Sequence, residues 1–188
     1  MIVLIGKSAS GKDTILNRLV GNGYKKMITY TTRPMRNGEI QDKTYHFISE
    51  EDFKQKVDDG FFAEWKSYIT TEGVWYYGSA TEDYEKSDDK TIIILTPDGY
   101  RDVVEVLKNK PKSIYIYANN ATIKERLQKR GDDKDEAARR IKHDNEDFKG
   151  VDQLVDRIVY NNREAKINDV VTIIENVLYK WRKEDERK

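Results

Sequence analysis

The chain alternates between short apolar runs and segments in which apolar positions have helical spacing. The apolar runs are rich in β-branched residues and have the length of buried strands; they lie at 2–5, 27–30, 91–95, 113–118 and 157–160. The helical segments lie at 14–20, 100–108, 121–130, 136–148 and 165–181. Strands that alternate with helices predict an α/β fold, with a parallel five-stranded sheet flanked by helices.

The region 33–86 interrupts this alternation. It holds a strand pattern at 44–48, a capped helix start at Ser49 that ends near Gly60, and a hairpin pattern at 61–69 and 74–77 around a turn at 70–73. The short strands and the many aromatic residues predict an antiparallel lobe. We expect this lobe to be inserted into a core formed by 1–32 and 87–188.

A second polar stretch, 131–135, joins two charged helical segments. We expect a small helical lid over about 126–148, with the polar stretch as its mobile flap. The last residues of the sequence, 183–188, are charged and are expected to fray.

Composition limits the kinds of partner. The 34 basic and 34 acidic side chains cancel, so we expect no long-range attraction to nucleic acid or to an anionic membrane, and any anion site must be local. There is no cysteine, which excludes disulfides and thiol catalysis and fits a cytoplasmic protein. The apolar run at 1–5 is too short to span a bilayer. We expect small-molecule partners and a monomer or homodimer.

The most specific local motif follows the first strand. Gly6, Gly11 and Lys12 have the spacing G-x-x-x-x-G-K, between an apolar strand and a helical segment. In that context several backbone N–H groups and a helix N-terminus converge on one point, and the lysine adds a mobile positive charge. The motif predicts a polyphosphate site beyond the carboxyl ends of the strands. A plain Gly/Ser turn is the alternative.

The residue after this lysine departs from the usual motif. Ser or Thr is typical there, because its hydroxyl reaches Mg²⁺. This chain has Asp13 instead, and the hydroxyl comes one position later, at Thr14. A carboxylate suits the first turn of a helix but repels phosphate. Asp13 is therefore expected either to point aside or to hold Mg²⁺ through water.

Two arginines close the second strand pattern and open the lobe. Arg33 and Arg36 flank a proline, so their planar guanidinium groups can bind one phosphate dianion together. A solvated basic turn explains the pair equally well on its own. The motifs downstream make the phosphate interpretation more specific; they read D-K-T-Y-H-F at 42–47, F-A-E-W at 62–65 and W-Y-Y-G-S at 75–79.

Taken in order, these motifs resemble the guanylate kinase family of P-loop nucleoside monophosphate kinases. The family pattern is a P-loop, then S-x-T-T-R-x-x-R-x-G-E, D-x-x-Y-x-F, E-W and Y-Y-G-[ST], a lid R-L-x-x-R-G followed by R-[RL], and an asparagine after the last core strand. Counterparts run from Met1 to about Asn162. The resemblance implies transfer of the ATP γ-phosphate to GMP or dGMP.

The resemblance implies an acceptor site in the lobe. Two arginines and two tyrosines would bind the GMP phosphate, namely Arg33, Arg36, Tyr45 and Tyr77. Glu64 would accept hydrogen bonds from guanine N1–H and the amino group, and Thr29 and Ser79 would donate to O6. The complete predicted GMP-binding set is Thr29, Arg33, Arg36, Tyr45, Glu64, Tyr77, Gly78, Ser79 and Asp98.

It also implies a donor site at the loop and the lid. The predicted ATP-binding residues are Gly6, Ser8, Ala9, Ser10, Gly11, Lys12, Asp13, Thr14, Arg126, Arg130 and Asn161. Mg²⁺ is the expected cofactor, held together with ATP by Thr14 and, through water, by Asp13. The predicted catalytic residues are Lys12, Arg33, Arg130 and Arg140. Because the stretch between the lid arginines is shorter than the family form, Arg139 could replace Arg140.

The third core strand departs most clearly from the family. Family members tend to end it with L-D-I-D, whereas this chain reads L-T-P-D-G at 95–99. Asp98 is the only carboxylate nearby, and it either serves the base or caps the following helix. The departure leaves open another (deoxy)nucleoside monophosphate, or a ribose phosphate, as acceptor. A non-catalytic phosphopeptide-binding domain is the third possibility, although such domains typically have a degraded P-loop.

Overall fold

The computed structural model describes residues 1–70 and 73–187. Within these residues the strands are β1 Ile2–Ile5, β2 Lys25–Lys26, β3 Tyr30–Thr31, β4 His46–Phe47, β5 Phe62–Thr70, β6 Gly73–Ala80, β7 Thr91–Leu95, β8 Lys112–Tyr117 and β9 Arg157–Tyr160. The helices are α1 Lys12–Gly21, α2 Glu50–Asp58, α3 Thr81–Glu85, α4 Pro97–Val106, α5 Asn120–Arg130, α6 Lys134–Asp147, α7 Val151–Leu154 and α8 Ile167–Asp185.

Five of the described strands form one parallel sheet, as the alternating pattern predicts. Their order is β2-β7-β1-β8-β9, so β1 lies at the centre, with Ile5 in register with Leu95 and with Tyr115. All five strands point the same way, so their carboxyl ends lie along one edge. The loop after β1 begins at this edge, which is where open α/β sheets bind ligands.

An apolar layer covers each face of this sheet. Ile15 and Leu19 of α1 pack with Val170 and Ile174 of α8 on one face. On the other face the layer is formed by Tyr100 and Val103 of α4 together with Met27, Tyr84, Phe148 and Val151. Since β1 is fully covered from both sides, its four residues are all buried, which explains why its sequence is a continuous apolar run.

The lobe has a sheet of its own, in the order β4-β3-β6-β5. The pairs β3–β6 and β5–β6 are antiparallel, as expected, but β3 and β4 are parallel. Stacked aromatic rings form its small core: the Phe53 and Phe62 ring centroids are 4.5 Å apart, and those of Phe53 and Tyr76 are 5.4 Å apart. A Cβ at Gly78 would lie 3.0 Å from the Phe62 ring, so glycine there lets the rings approach the strand.

The predicted strand at 27–30 is wrong. Instead, Lys25–Lys26 forms a strand of the parallel sheet, and Tyr30–Thr31 forms a strand of the lobe sheet. Met27 still donates its backbone N–H to Ile92 O at 2.9 Å, and His46 donates to Thr29 O at 2.9 Å. The apolar run is therefore shared between two sheets, a division that periodicity alone does not reveal.

The remaining elements agree with the predictions, apart from small shifts of their ends. Ser49 caps α2, with its side chain accepting from Asp52 N, as the capping pattern indicates. Two short helices, α3 and α7, were not predicted. The predicted turn at 70–73 includes residues 71 and 72, which lie outside the described residues. Helix α8 continues to Asp185, so residues 183–185, the first half of the tail expected to fray, are helical. Within the described ranges, no helix is long and apolar enough to cross a membrane.

Candidate active site

The glycine loop between β1 and α1 depends on two left-handed residues, Ala9 at φ 54° and Gly11 at φ 96°. A Cβ at Gly11 would also lie 2.5 Å from Asn161 Nδ2. A side chain there is therefore opposed both by backbone strain and by a buried neighbour. The turn leaves the N-terminus of α1 directed at the space above the loop, as the motif predicts.

One buried polar group in the loop lacks a protein partner. Ser10 is fully buried, and its Oγ has no hydrogen-bond partner among the described residues. A buried hydroxyl without a partner costs free energy unless a ligand or water satisfies it. This orphaned hydroxyl is the kind of group expected in a loop that is completed by a polar ligand.

Two predicted ATP-binding side chains hold the outside of the loop. Arg126 donates to Ser10 O at 3.1 Å and to Asn161 O at 2.9 Å, and Asn161 donates from Nδ2 to Ser10 O at 2.8 Å. These bonds fix the Ser10 carbonyl and with it the shape of the loop. The structure thus gives both residues a supporting role that the sequence did not predict; their contact with nucleotide remains a prediction.

Lys12 and Asp13 both lie toward the cleft above the loop. Lys12 Nζ donates to Lys7 O at 3.2 Å, and burial lowers the pKa of this ammonium, while the nearby Asp13 and Asp144 carboxylates oppose the shift. Asp13 also acts electrostatically on Tyr45 of the lobe. Asp13 is exposed in the first turn of α1, near enough to act on both Lys12 and Tyr45, and its binding of Mg²⁺ through water stays a prediction.

The lid contacts the loop through a carboxylate that sequence reasoning missed. Asp144, near the end of α6, accepts a hydrogen bond from Ser8 N at 2.7 Å. The adjacent Asn145 accepts from Lys7 Nζ at 2.5 Å. An acidic side chain thus occupies one amide of a loop that is built for anions.

The lid arginines are held by acidic neighbours. Arg130 forms an ion pair with Asp132 at 2.5 Å, and Arg140 and Arg139 both bind Glu136 at 2.7 Å. Their hydrogen bonds lower the pKa of Glu136 to about 2. Arg130 lies near enough to Lys12 to lower the pKa of that ammonium further, so it already belongs to the donor side. Reaching a phosphoryl group requires Arg139 or Arg140 to leave Glu136.

The lobe presents one buried and one exposed arginine. Arg33 is only 4% exposed, and its guanidinium donates to Glu39 Oε1 and to Pro34 O, both at 2.7 Å. Glu39 Oε2 accepts from Arg36 N at 2.7 Å, so a single carboxylate ties the two arginine positions together. The hydrogen bond from Arg33 lowers the pKa of Glu39. The pair predicted from the spacing is therefore built into a fixed loop.

Aromatic rings surround the buried arginine. Arg33 Cζ lies 5.6 Å from the centroid of the Tyr45 ring and 5.7 Å from that of Phe47. The Tyr45 and Tyr77 rings meet edge to face at 6.1 Å. Cation–π contacts of this kind restrict the position of the guanidinium and do not use its N–H groups, so those without a partner can still donate hydrogen bonds. The arrangement gathers two phenol groups and a guanidinium in the place where the sequence predicts the acceptor phosphate.

A buried carboxylate lies deeper in the lobe. Glu64 Oε1 accepts from Ser79 Oγ at 2.6 Å, and Ser79 Oγ is 2.6 Å from the Tyr84 hydroxyl. Desolvation raises the pKa of Glu64 to about 7, against the opposing effect of the Ser79 hydrogen bond. Glu64 Oε2 would be 3.1 Å from a Cβ at Gly99, so glycine at that position makes room for the carboxylate.

The interpretation of Asp98 as a helix cap is wrong. Thr96 caps α4, with its Oγ1 accepting from Gly99 N at 3.1 Å, and Pro97 follows in the first turn. Asp98 is exposed and forms an ion pair with Arg101 at 2.5 Å. Nothing in this arrangement directs Asp98 toward Glu64, so its role in base binding has no structural support and remains only a prediction.

The loop, the lid and the lobe face one another. Asp13 at the loop acts electrostatically on Tyr45 in the lobe, and Lys26 Nζ lies 5.0 Å from the Tyr45 ring centroid. Burial raises the pKa of Tyr68 in the β5–β6 hairpin to about 12, with further effects from Glu64 and from Asp144 on the lid. The predicted donor and acceptor sites therefore lie close enough to act on each other electrostatically, as group transfer between two ligands would require.

The strand–glycine loop–helix unit in a parallel sheet, with a second sheet formed by the strands between β2 and β7 in chain order, defines the class as a P-loop α/β protein. The model of the guanylate kinase family matches residues 1–180, and the chain belongs to that family. It is 32% identical to a guanylate kinase of Wolinella succinogenes over 174 residues, which cover 88% of this chain and 78% of the relative. It is 26% identical to one of Prochlorococcus marinus subsp. pastoris, covering 94% and 97% of the two chains.

The solved structures agree on the fold. The crystal structure of guanylate kinase from Anaplasma phagocytophilum superposes with a TM-score of 0.69, at 23% sequence identity. The match covers 95% of this chain and 84% of that one. Both the parallel core and the inserted lobe lie within this matched length.

Proposed function

We propose that this chain transfers the γ-phosphoryl group of ATP to GMP, giving ADP and GDP. The proposal is supported by two groups of residues suited to anions, one on the core and one on the lobe. The first is the glycine loop with Lys12, and the second is the Arg33–Glu39 loop; Asp13 beside the first acts electrostatically on Tyr45 beside the second. The family to which the chain belongs supports the same reaction.

The donor side would hold the ATP phosphates with backbone amides and Lys12. Mg²⁺ usually keeps several waters and takes few protein oxygens beside substrate phosphates. Thr14 and Asp13 lie in the exposed first turn of α1, and their side-chain oxygens would be enough for an ion that takes few protein ligands. Bound there with ATP, the ion would neutralise charge on the phosphate oxygens. The orphaned Ser10 hydroxyl is a further polar group that ligand binding can satisfy.

The acceptor side would orient the GMP phosphate. Its oxygen is already an anion at neutral pH, so attack on the γ-phosphoryl group requires no general base. Catalysis then depends on alignment and on charge neutralisation. Arg33 is well suited to alignment, because Glu39, Pro34 O and two aromatic rings hold it before any ligand arrives. Arg130 and either Arg139 or Arg140 would neutralise the migrating group as the lid closes.

Guanine recognition would rest on Glu64. An ionised carboxylate accepts two hydrogen bonds at once, and guanine offers two donors at N1 and N2 on one edge. Adenine has no such pair. Glu64 is buried beside Gly99, where a ring edge rather than bulk water would be its partner.

The test is a coupled ADP-release assay with ATP and Mg²⁺ against a panel of nucleoside monophosphates and ribose phosphates. Turnover confined to GMP and dGMP supports the proposal. Equal turnover of several acceptors favours a different substrate, a result that the outward-facing Asp98 keeps open. Complete inactivity with intact binding of phosphorylated peptides would favour the non-catalytic domain.

Location and assembly belong to the same proposal. A cytoplasmic enzyme acting on free nucleotides, as a monomer or homodimer and without nucleic acid, fits the balanced charge and the absence of cysteine. Sedimentation of the purified chain tests the oligomeric state directly.

A further inference from the structure

A line of three oxygen-bearing side chains runs from the core of the molecule to the predicted base site. Glu64 Oε1 is 2.6 Å from Ser79 Oγ, and Ser79 Oγ is 2.6 Å from the Tyr84 hydroxyl. Ser79 is fully buried, and Tyr84 is 4% exposed. Each member is on a different element: β5, β6 and α3 respectively. Sequence reasoning assigned roles to Glu64 and Ser79 but none to Tyr84.

Counting protons fixes the direction of these bonds. A serine hydroxyl carries one proton, and Ser79 gives it to the Glu64 carboxylate. Ser79 Oγ must then be the acceptor from Tyr84, whose hydroxyl is the only remaining donor in the line. Ser79 therefore has no proton left for guanine O6 while Glu64 is ionised. The donation of Ser79 to guanine O6 that the family resemblance implies would require this hydroxyl to leave Glu64.

Tyr84, at the core end of this hydrogen-bonded line, is held rigidly. The Tyr84 ring belongs to the apolar layer that also contains Ala63 and Tyr100. Its backbone O accepts from Ser87 Oγ at 2.6 Å, at the end of α3. A buried ring on a short helix cannot turn its hydroxyl elsewhere without disturbing the core. Tyr84 thus offers a donor at a fixed point behind Ser79.

We propose that Tyr84 is a positioning residue for base recognition, which acts through Ser79 to hold the Glu64 carboxylate as an acceptor aimed at the N1–H and amino edge of guanine. In this arrangement Ser79 is a relay, and O6 is left to another group such as Thr29. The inference rests on the proposed function, since it assigns a role within guanine binding.

Besides Ser79, several charged or ionisable side chains near Glu64 influence the pKa of its carboxyl group. Lys66 on β5 favours the charged form, whereas Asp102 on α4 disfavours it. The phenols of Tyr68 and Tyr84 are both coupled to the same carboxylate. Desolvation is the largest effect, and it places the pKa of Glu64 at about 7. Because the Ser79 bond opposes that shift, a weaker relay should move the pKa of Glu64 further upward.

The ionisation of Glu64 determines how GMP affinity should change with pH. Guanine donors need the ionised carboxylate, so GMP affinity should rise with pH through about 7 and then level off. If Tyr84 supports the relay, removal of its hydroxyl weakens the Ser79 bond and moves this rise to higher pH. A tyrosine with only a packing role would weaken binding equally at all pH values.

The decisive variant is Tyr84→Phe, which keeps the ring, and its matched control is Tyr100→Phe. Tyr100 is buried in the same layer, but its hydroxyl donates to Pro111 O at 3.0 Å, away from Glu64. By calorimetry with GMP, we expect Tyr84→Phe to weaken binding about fivefold to tenfold and Tyr100→Phe to leave it unchanged. The midpoint of the pH dependence should move up in Tyr84→Phe alone.

A double-mutant cycle shows whether Tyr84 acts through Ser79. Ser79→Ala should reproduce the loss of GMP affinity without touching the buried ring, and adding Tyr84→Phe to it should change nothing further. Additive losses, or GMP binding by Tyr84→Phe with wild-type affinity and pH midpoint, would overturn the inference. A wild-type protein that shows no preference for GMP contradicts the proposed function itself, so the two failures are distinguishable.

Discussion

The glycine loop and the inserted lobe are both proposed to hold phosphate, but they would do so with different parts of the chain. At the loop the binding groups are backbone amides, shaped by the left-handed Ala9 and Gly11. In the lobe they are side chains, and Arg33 is held in position by Glu39 and by aromatic rings. A backbone site depends on a local motif of consecutive residues, whereas a side-chain site depends on contacts gathered from several elements.

Their electrostatic states also differ. The loop already contains an anion from the protein, because Asp144 accepts from Ser8 N, while Lys12 is partly desolvated. In the lobe, Arg33 has its countercharge on Glu39 and keeps its donors oriented. Under the proposed function the donor side would have to release the Asp144–Ser8 contact when ATP binds, whereas the acceptor side could keep the Arg33–Glu39 pair. The following variants test this difference.

The largest effect is expected from Lys12→Met. Loss of the mobile charge should lower kcat by roughly a thousandfold, as for other preorganised charge-stabilising groups. The fold should persist or gain slightly, because burial lowers the pKa of Lys12 and its charge is a cost to the folded state. ADP release measures the first effect and thermal unfolding the second; near-normal turnover would remove the loop from the mechanism.

Arg33→Lys tests the side-chain site. Lysine cannot reproduce the planar fork that contacts both Glu39 and Pro34 O, so the KM for GMP should rise by about 100-fold. The KM for ATP should change little, because Arg33 lies in the lobe. Arg101→Lys serves as control, since Arg101 pairs only with the exposed Asp98 on α4. Equal changes in both KM values would contradict the separation of the two sites.

Asp144→Ala tests whether the lid carboxylate competes with phosphate at the loop. Its removal frees Ser8 N and removes a negative charge near Lys12, so the affinity for inorganic tripolyphosphate should rise by about tenfold. The control is Asp147→Ala, on the same helix but paired with His143 at 2.9 Å. Calorimetry without acceptor measures both variants. Weaker binding by Asp144→Ala would instead make this residue part of the ligand site.

The smallest effect concerns Glu136, which binds both lid arginines. Its pKa falls from 4.5 to about 2, chiefly through the hydrogen bonds from Arg139 and Arg140. A lowered folded pKa means that this contribution is present above about 4.5 and is lost as the pH falls toward 2. Glu136→Gln should therefore lose about 1–2 °C of Tm at pH 7 and nothing near pH 2, because exposed pairs are weak. Thermal melts across that range measure the difference, and a constant offset at every pH would contradict it.

The parts that the sequence predicts correctly are those set by local patterns. The strand–loop–helix order around Gly6 and Lys12, the Ser49 cap and the parallel order of the sheet all follow from spacing and periodicity. The Arg33–Arg36 pair was recognised for the same reason. Each of these features is encoded within a few consecutive residues.

The parts that the sequence does not predict depend on distant contacts. Nothing in the sequence places Asp144 on Ser8, 136 positions away, or turns Arg126 and Asn161 toward the loop carbonyls. Sequence reasoning gave Tyr84 no role, because its contact with Ser79 is made only in the folded chain. The strand expected at 27–30 failed because two sheets compete for one apolar run, and their competition is decided in three dimensions.

The bond from Asn161 to Ser10 O has a consequence for how the protein is made. These two residues are 151 positions apart, and the Asn161 side chain and carbonyl, with Arg126 between them, complete the support of the glycine turn. A nascent or truncated chain that lacks β9 and Asn161 would carry the whole motif without this part of its support. Nucleotide affinity should thus appear late in folding.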